Sequence, residues 1–376
     1  MKGKTGMKEL DLDLNEFQEF IKLKKIICYG SGMAGSRAIS ILENWNKAQD
    51  IVAFSDSNKN KWYNKIENEN YSFLIVPIEE ILAKINENIV ILITCVTDIE
   101  EIRGMLNQYR ELENINCFSL VEIAQQQLIH SDYEILHEFN EMIIPKKIHY
   151  CWLGGEKPEF VKNMIASWKI MCPDYEIIEW NETNYDFNKN KYMKQAYETQ
   201  IWGFVPDYAR IDIVYTHGGI YIDTDVEILH RPDDLLYQKN FFISDCTFLV
   251  NLGSGFGAKP GDPVLGEFME YYNDIPFKLE SGELNKTGCI IHQYNVLKKY
   301  GMVINDQFQI VHGANIYPMI MGGTCVYTMQ LRRNKKAFFA HYGTASWMKE
   351  GIIEKRKRLQ KFFYNNCLIN YSIEKI

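Results

Sequence analysis

Between positions 205 and 229 the hydrophobic period changes from that of a helix to that of a strand, with two glycines at the change. Pro206 fits the first turn of a helix, where its missing N–H leaves nothing unsatisfied. Asp207 follows it, where the positive end of the helix dipole favours a carboxylate. Asp207, Arg210 and Ile211 are spaced i, i+3, i+4 and fall on neighbouring faces of that helix. Gly218 and Gly219 predict the stop, in the left-handed conformation that glycine accepts at a helix C-cap. From Ile220 the spacing becomes two. Ile220, Ile222, Val226 and Ile228 would point one way, and Tyr221, Asp223, Asp225 and Glu227 the other. The expectation is a helix, a glycine turn and one strand that presents two carboxylates on the same face near its end.

Two carboxylates so placed repel each other unless positive charge lies between them. Mg²⁺ and Mn²⁺ commonly take one or two carboxylates together with phosphate oxygens, so the pair points to a divalent cation and a phosphorylated ligand. Asp-x-Asp alone carries little weight. Asp11 and Asp13 have the same spacing in a polar N-terminal segment with no apolar strand before them. The surrounding helix, glycines and strand distinguish Asp223 and Asp225 from that background.

With 376 residues the chain is long enough for two domains. Its formal net charge of −8 argues against a general nucleic-acid binder, which would show a basic footprint. The nine cysteines show neither Cys-x-x-Cys nor zinc-type spacing, and read as reduced core thiols of a cytosolic protein. The first residues lack the apolar stretch of a signal peptide. No apolar run reaches the length of a membrane span. The expected location is cytoplasmic.

Residues 1–22 contain a short amphipathic helix pattern. Residues 23–124 read as a smaller Rossmann-like α/β domain: a strand at 25–29, then Gly30, Gly32 and Gly35 in the spacing G-x-G-x-x-G, a helix over 36–45, and a strand at 51–54 with Asp56 just beyond it. Such glycines allow a tight turn and close approach to phosphates at a helix N-terminus, and the acid would take a ribose hydroxyl. The same glycines can also serve the turn alone. A nucleotide is the cofactor this domain suggests. Further strands are expected at 90–96 and 117–120, with a helix over 98–109. Residues 125–144 predict a polar linker helix, whose His130 and His137 read as surface residues. Residues 145–348 form the larger domain. Its strand, helix and strand at 145–155, 160–171 and 175–180 suit a parallel sheet with ligand sites at the carboxyl ends of the strands. Residues 349–376 read as a basic amphipathic helix, with Lys355, Arg356, Lys357 and Arg358 beside Leu359, Phe362 and Phe363. That helix could pack on the domain or touch the inner face of an anionic membrane.

Asp207-Tyr208-Ala209-Arg210, followed by Gly218-Gly219-Ile220-Tyr221-Ile222-Asp223-Thr224-Asp225-Val226, resembles the signature of the DXD-containing sugar transferases, glycosyltransferase family 32. The glucosylating bacterial toxins are more distant relatives. The resemblance extends over residues 143–348. It implies a GT-A-type fold and a retaining, metal-dependent hexosyltransferase. It implies that Asp223, Asp225 and His341 hold Mn²⁺ or Mg²⁺, and that Trp152 stacks on a uracil base. Asn251 would lie near the donor sugar, and Ser346 and Trp347 would contact the diphosphate. On this reading Asp207 and Arg210 orient sugar hydroxyls, and the catalytic set is Asp207, Arg210, Asp223 and Asp225. The implied donor is UDP-glucose or UDP-galactose, with GDP-mannose used by other relatives. The implied acceptor is a surface or capsular glycan, free or lipid-linked. Residues 23–124 resemble the small Rossmann-like domains attached to enzymes of surface-polysaccharide synthesis. One departure from the resemblance is Thr287-Gly288-Cys289, where relatives show Gly-Pro before a helix on the acceptor side.

Three other readings compete. A phosphohydrolase of the haloacid dehalogenase type wants Thr or Val two residues after the second Asp, and this chain has Glu227. An NAD-dependent oxidoreductase built on residues 23–124 needs a catalytic acid or base that nothing later in the chain offers. A nucleotide-sugar-binding regulatory role for the same residues is compatible with a transferase.

Overall fold

The computed structural model describes residues 7–96, 98–322 and 334–344. Ser346, Trp347 and the basic segment 349–376 lie outside them. The chain forms two compact units. The first comprises Met1–Ser131, Cys246–Phe248 and Val303–Asp306, and the second Asp132–Asp245, Leu249–Met302 and Gln307–Ile376.

The first unit begins with α1 (Leu14–Phe20), whose start is fixed by a capping box between Asp13 and Glu16. Then come β1 (Lys25–Tyr29), α2 (Met33–Asn44), β2 (Ile51–Ser55), β3 (Lys65–Glu67), β4 (Ser72–Val76), α3 (Glu79–Leu82), β5 (Ile89–Ile93), α4 (Ile99–Leu106), β6 (Asn116–Ser119) and α5 (Leu120–His130). The sheet order is β3-β4-β2-β1-β5-β6. Every pairing is parallel except that of β3 with β4. Ile26, Ile27, Cys28 and Val90 to Ile93 are fully buried. That is why β1 and β5 read as continuous apolar runs and sit at the centre of the sheet. The strands β3 and β4 were not expected, because they are short and half-exposed in an Asn-rich stretch.

The linker helix expected over 125–144 is corrected. The helix is α5, and it starts earlier, where the Ser119 hydroxyl accepts from the Val121 N–H at 3.2 Å. Leu120, Val121, Ile123, Ala124 and Leu128 bury its apolar side in the first unit. From Ser131 to Ile144 there is no helix. Its backbone bonds elsewhere instead: the Glu138 N–H to Tyr237 O and the Ile143 N–H to Leu236 O, both at 2.9 Å.

The second unit contains β7 (Lys147–Cys151), α6 (Glu159–Met171), β8 (Glu176–Trp180), α7 (Lys191–Glu198), α8 (Pro206–His217), β9 (Gly219–Tyr221), β10 (Val226–Ile228), β11 (Asn240–Ile243), β12 (Phe256–Ala258), α9 (Pro263–Asp274), α10 (Cys289–Leu297), β13 (Gln309–Val311), β14 (Ala314–Tyr317) and β15 (Phe339–His341). Its main sheet has the order β13-β14-β11-β12-β9-β7-β8, and among the described residues β10 pairs with β15 in a separate ribbon. The strands β8, β7 and β9 are parallel, while β12 runs antiparallel to both β9 and β11. Both units thus have the α/β build expected. A turn at His312 (φ 48°) and Gly313 (φ 86°) joins β13 to β14 in a hairpin. Among the described residues no helix is long and apolar enough to cross a membrane.

The single strand expected to carry Asp223 and Asp225 is also corrected. It is two strands in two sheets, with the acids on the turn between β9 and β10. The Val226 N–H closes that turn on Asp223 O at 3.0 Å. Alternation misled here because both sides are buried: Tyr221 is 1% exposed and Glu227 2%. Glu227 tolerates this because the Tyr342 hydroxyl donates to it at 2.8 Å.

Gly218 does end α8, but with φ 61° and ψ 179° rather than in the left-handed helical region. That conformation is essentially confined to glycine. The His149 Nε2–H donates to Gly218 O at 2.8 Å, and the Trp180 indole N–H donates to His149 Nδ1 at 3.2 Å. Burial pushes His149 down to about 4, so the ring is neutral and both nitrogens are matched. A Cβ on Gly218 would lie 2.6 Å from Pro260 Cδ and 2.8 Å from Pro145 Cδ, whereas Gly261 (φ 68°) has open space around it. Gly218→Ala should therefore destabilise this unit by about 3 kcal/mol or more, and Gly261→Ala by about 1 kcal/mol. Thermal melts of the two variants check this; equal shifts would contradict the steric account of the turn.

Candidate active site

The turn between β9 and β10 carries two acids that meet a histidine from a distant part of the sequence. Oxygens of Asp223 and Asp225 and a ring nitrogen of His341 all lie within 4.8 Å of one another. His341 ends β15, which pairs antiparallel with β10 so that Val226 faces His341. The Tyr342 N–H extends the pairing to Asp225 O at 2.9 Å. The register of this short ribbon is what delivers the histidine to the acids. Below it, the Trp168 indole N–H donates to Val226 O at 2.7 Å and ties α6 to β10.

Each carboxylate has a different setting. Asp225 Oδ1 lies 3.2 Å from His341 Nε2. Its Oδ2 accepts from the Thr344 N–H at 2.7 Å and the Thr344 hydroxyl at 2.8 Å. Burial raises the Asp225 carboxyl, but the nearby His341 charge and the His341 and Thr344 hydrogen bonds outweigh it and hold it at about 2. Asp223 is more open, with 29% of its side chain exposed. Burial and the Asp225 charge raise its carboxyl above the ordinary range. His341 is raised despite burial, because Asp225, Asp223 and Asp245 surround it. Two carboxylates and an imidazole suit Mn²⁺ or a similar divalent ion.

Arg210 projects from α8 toward the same turn. Its Nη2 lies 3.3 Å from Asp207 and 3.5 Å from Asp223, and its Nε–H donates to Pro206 O at 3.0 Å. The guanidinium also lies over the Tyr221 ring, 5.4 Å from its centroid. Asp207 is fully enclosed, and burial, partly offset by Arg210, pushes it up to about 7. The four acids and bases expected to act together, Asp207, Arg210, Asp223 and Asp225, therefore do form one cluster.

Other expected residues are placed as follows. Trp152 lies just beyond β7, half-exposed, and its indole N–H donates to Gly155 O at 2.7 Å. Trp202, which the sequence did not single out, reaches the same glycine turn: a Cβ on Gly154 would lie 2.9 Å from its Nε1. Asn251 is buried, with its amide engaged inside the protein. Its Oδ1 accepts from the Gly253 N–H at 2.9 Å, and its Nδ2 donates to Asp245 Oδ2 at 3.3 Å. Thr344, Gly253, Ser254 and Asp245 are site residues that the sequence reading missed. The only signal for any of them was the glycine run around Gly253.

In the first unit Gly30 has φ 110°, and a Cβ on Gly35 would meet Gly30 O at 2.4 Å, so both serve the strand–helix turn. Gly32 faces open space. Asp56 Oδ2 accepts from the Ser31 N–H at 2.8 Å, the Ser31 hydroxyl at 2.6 Å and Lys61 Nζ at 2.9 Å. Its Oδ1 accepts from the Asn58 N–H at 2.9 Å. The Oδ2 at which a ribose hydroxyl would donate is thus already engaged by Ser31 and Lys61.

Residues 158–242 match the family described as the glycosyltransferase sugar-binding region containing a DXD motif, and this segment includes Asp223 and Asp225. Inositol phosphoceramide mannosyltransferase 2 of Schizosaccharomyces pombe is 36% identical over 103 residues, which is 26% of this chain and 29% of that protein. The chain thus spans under a third of that relative's length. An uncharacterised glycosyltransferase of Acanthamoeba polyphaga mimivirus is 23% identical over 60% of this chain and 91% of its own. The solved structure of the PaToxG glycosyltransferase is similar at 14% identity over 64% of this chain and 93% of its own, with a TM-score of 0.36.

A Cβ on Gly253 would lie 2.5 Å from Asp223 Oδ2 and 3.1 Å from Arg210 Nη1. Gly253→Ala should displace the Asp223 carboxylate while leaving the fold intact. The expected result is Mn²⁺ binding weakened about tenfold or more, as for the loss of a supporting contact, with little change in melting temperature. Isothermal titration with Mn²⁺ checks this, and unchanged affinity would show that Asp223 is not confined as described.

Proposed function

We propose that the chain is a metal-dependent, retaining glycosyltransferase that moves a hexose from a nucleotide sugar, UDP-glucose or UDP-galactose, to a surface or capsular glycan. The observation that supports this reading is the convergence of Asp223, Asp225 and His341 beside the Asp207–Arg210 pair, within a DXD sugar-transferase segment. Asp223, Asp225 and His341 would hold the cation. When bound, a divalent cation neutralises charge on the diphosphate leaving group. The reaction breaks the bond between the anomeric carbon and the diphosphate oxygen, and joins that carbon to an acceptor hydroxyl.

The chain's own contribution is positioning. Arg210 is held by Asp207, by Asp223 and by Pro206 O, so its remaining N–H groups have a fixed direction for sugar hydroxyls or phosphate oxygens. Asp207, at about 7, exists near neutrality in both protonation states, so it can accept from or donate to a sugar hydroxyl. Trp152, with its N–H already engaged, offers a ring face for a base. The name of the yeast relative makes GDP-mannose the second donor to test.

The test is donor hydrolysis with purified protein, Mn²⁺ and a panel of UDP- and GDP-sugars without acceptor. One UDP-hexose should be hydrolysed slowly. Asp225→Asn or a chelator should reduce that rate about a hundredfold or more. Turnover of GDP-mannose alone would change the donor. No turnover and no Mn²⁺-dependent nucleotide binding would overturn the reading.

A further inference from the structure

We propose that Ser254 is a positioning residue that fixes the ring of His341 with Nε2 turned toward the cation site, and that the loop from Asn251 to Ser254 is built to hold it there. The proposal rests on the metal site of the proposed function and goes beyond it by assigning a residue outside the ligand set.

His341 has two distinct nitrogens. Nε2 faces Asp225 Oδ1 at 3.2 Å, and Nδ1 lies 3.0 Å from Ser254 Oγ. A histidine that ligates through Nε2 must be neutral there, with its proton on Nδ1. The group beside Nδ1 must then accept a hydrogen bond, and a serine oxygen can. A hydroxyl can serve either tautomer, so it accepts the Nδ1 proton when a cation takes Nε2 and fixes the ring plane, the role that outer partners of metal-binding histidines play.

Ser254 is placed by the backbone rather than by chance contact. It is fully buried, and its N–H donates to Asn251 O at 3.1 Å. The Asn251 N–H donates to Ile243 O at 2.9 Å, which anchors the loop at the end of β11. The Asn251 side chain clamps the turn from both ends of its amide, on the Gly253 N–H and on the buried Asp245. The Asp223 N–H donates to Gly253 O at 3.2 Å, so the loop is registered against the acidic turn. One loop thus limits Asp223 through Gly253 and orients His341 through Ser254. It thereby links two residues that are far apart in sequence.

A purely structural serine would merely satisfy its own hydroxyl against the imidazole. The two roles differ in metal affinity. Mn²⁺ binding is measured by electron paramagnetic resonance of free Mn²⁺ for the full chain, Ser254→Ala, Ser254→Cys, Ser254→Thr and Asp225→Asn, alongside melting of each metal-free protein. Ser254→Ala should weaken Mn²⁺ binding about tenfold or more without a matching loss of melting temperature. Ser254→Cys keeps the shape but offers only a weak acceptor, so it should also weaken binding and carries the test if the alanine variant does not fold. Ser254→Thr, which keeps the hydroxyl, should restore most of the affinity. If the Ala and Cys variants bind Mn²⁺ like the unaltered protein while Asp225→Asn does not, the positioning role is overturned and the metal site stands. If the unaltered protein binds no Mn²⁺, both fall together.

Discussion

Asp223 and Asp225 stand two residues apart on a tight turn, and each is kept beside positive charge of different origin. Arg210 on α8 faces Asp223, and His341 at the end of β15 faces Asp225. Arg210 comes from the helix just before the turn, whereas His341 is far from it in sequence. The arrangement depends on splitting β9 from β10, because β9 must pair in the main sheet while β10 leaves it to meet β15. A single continuous strand would carry both acids on one sheet face and leave the histidine out of reach. The fold therefore uses a break in secondary structure to assemble the site.

The supports of that break are short-range and directional. The neutral His149 holds Gly218, the Trp168 indole holds Val226, and Thr344 holds one oxygen of Asp225. With Thr344 on Oδ2, only Oδ1 of Asp225 is turned toward His341. Buried carboxylates are stabilised this way when every remaining lone pair has a donor. The loop through Gly253 and Ser254 adds the last constraint, since no side chain larger than hydrogen fits at Gly253 without moving Asp223.

Much of this was legible in the sequence, for identifiable reasons. The glycine pair, the apolar flanks and the Asp-x-Asp spacing carry local information, and the helix α8 and the position of the acids follow from it. The family resemblance added His341, which no local pattern could connect to residue 225. What could not be read depends on tertiary pairing. The strand break arises because both faces of the segment are buried, so alternation loses its meaning at Tyr221 and Glu227. Thr344 and Ser254 contact the site through backbone placement that leaves no motif. In the first unit the glycine spacing was legible, but the engagement of Asp56 by Ser31 and Lys61 was not, because Lys61 lies in a polar run that looks like any surface loop.

The most direct measurement is anomalous diffraction at the manganese edge from crystals grown with Mn²⁺ and UDP. The account predicts a single manganese peak at bonding distance from Asp223, Asp225 and His341, with the diphosphate against it and Arg210 beside it. A nucleotide bound at the glycine loop of the first unit, with no manganese at the acidic turn, would contradict it.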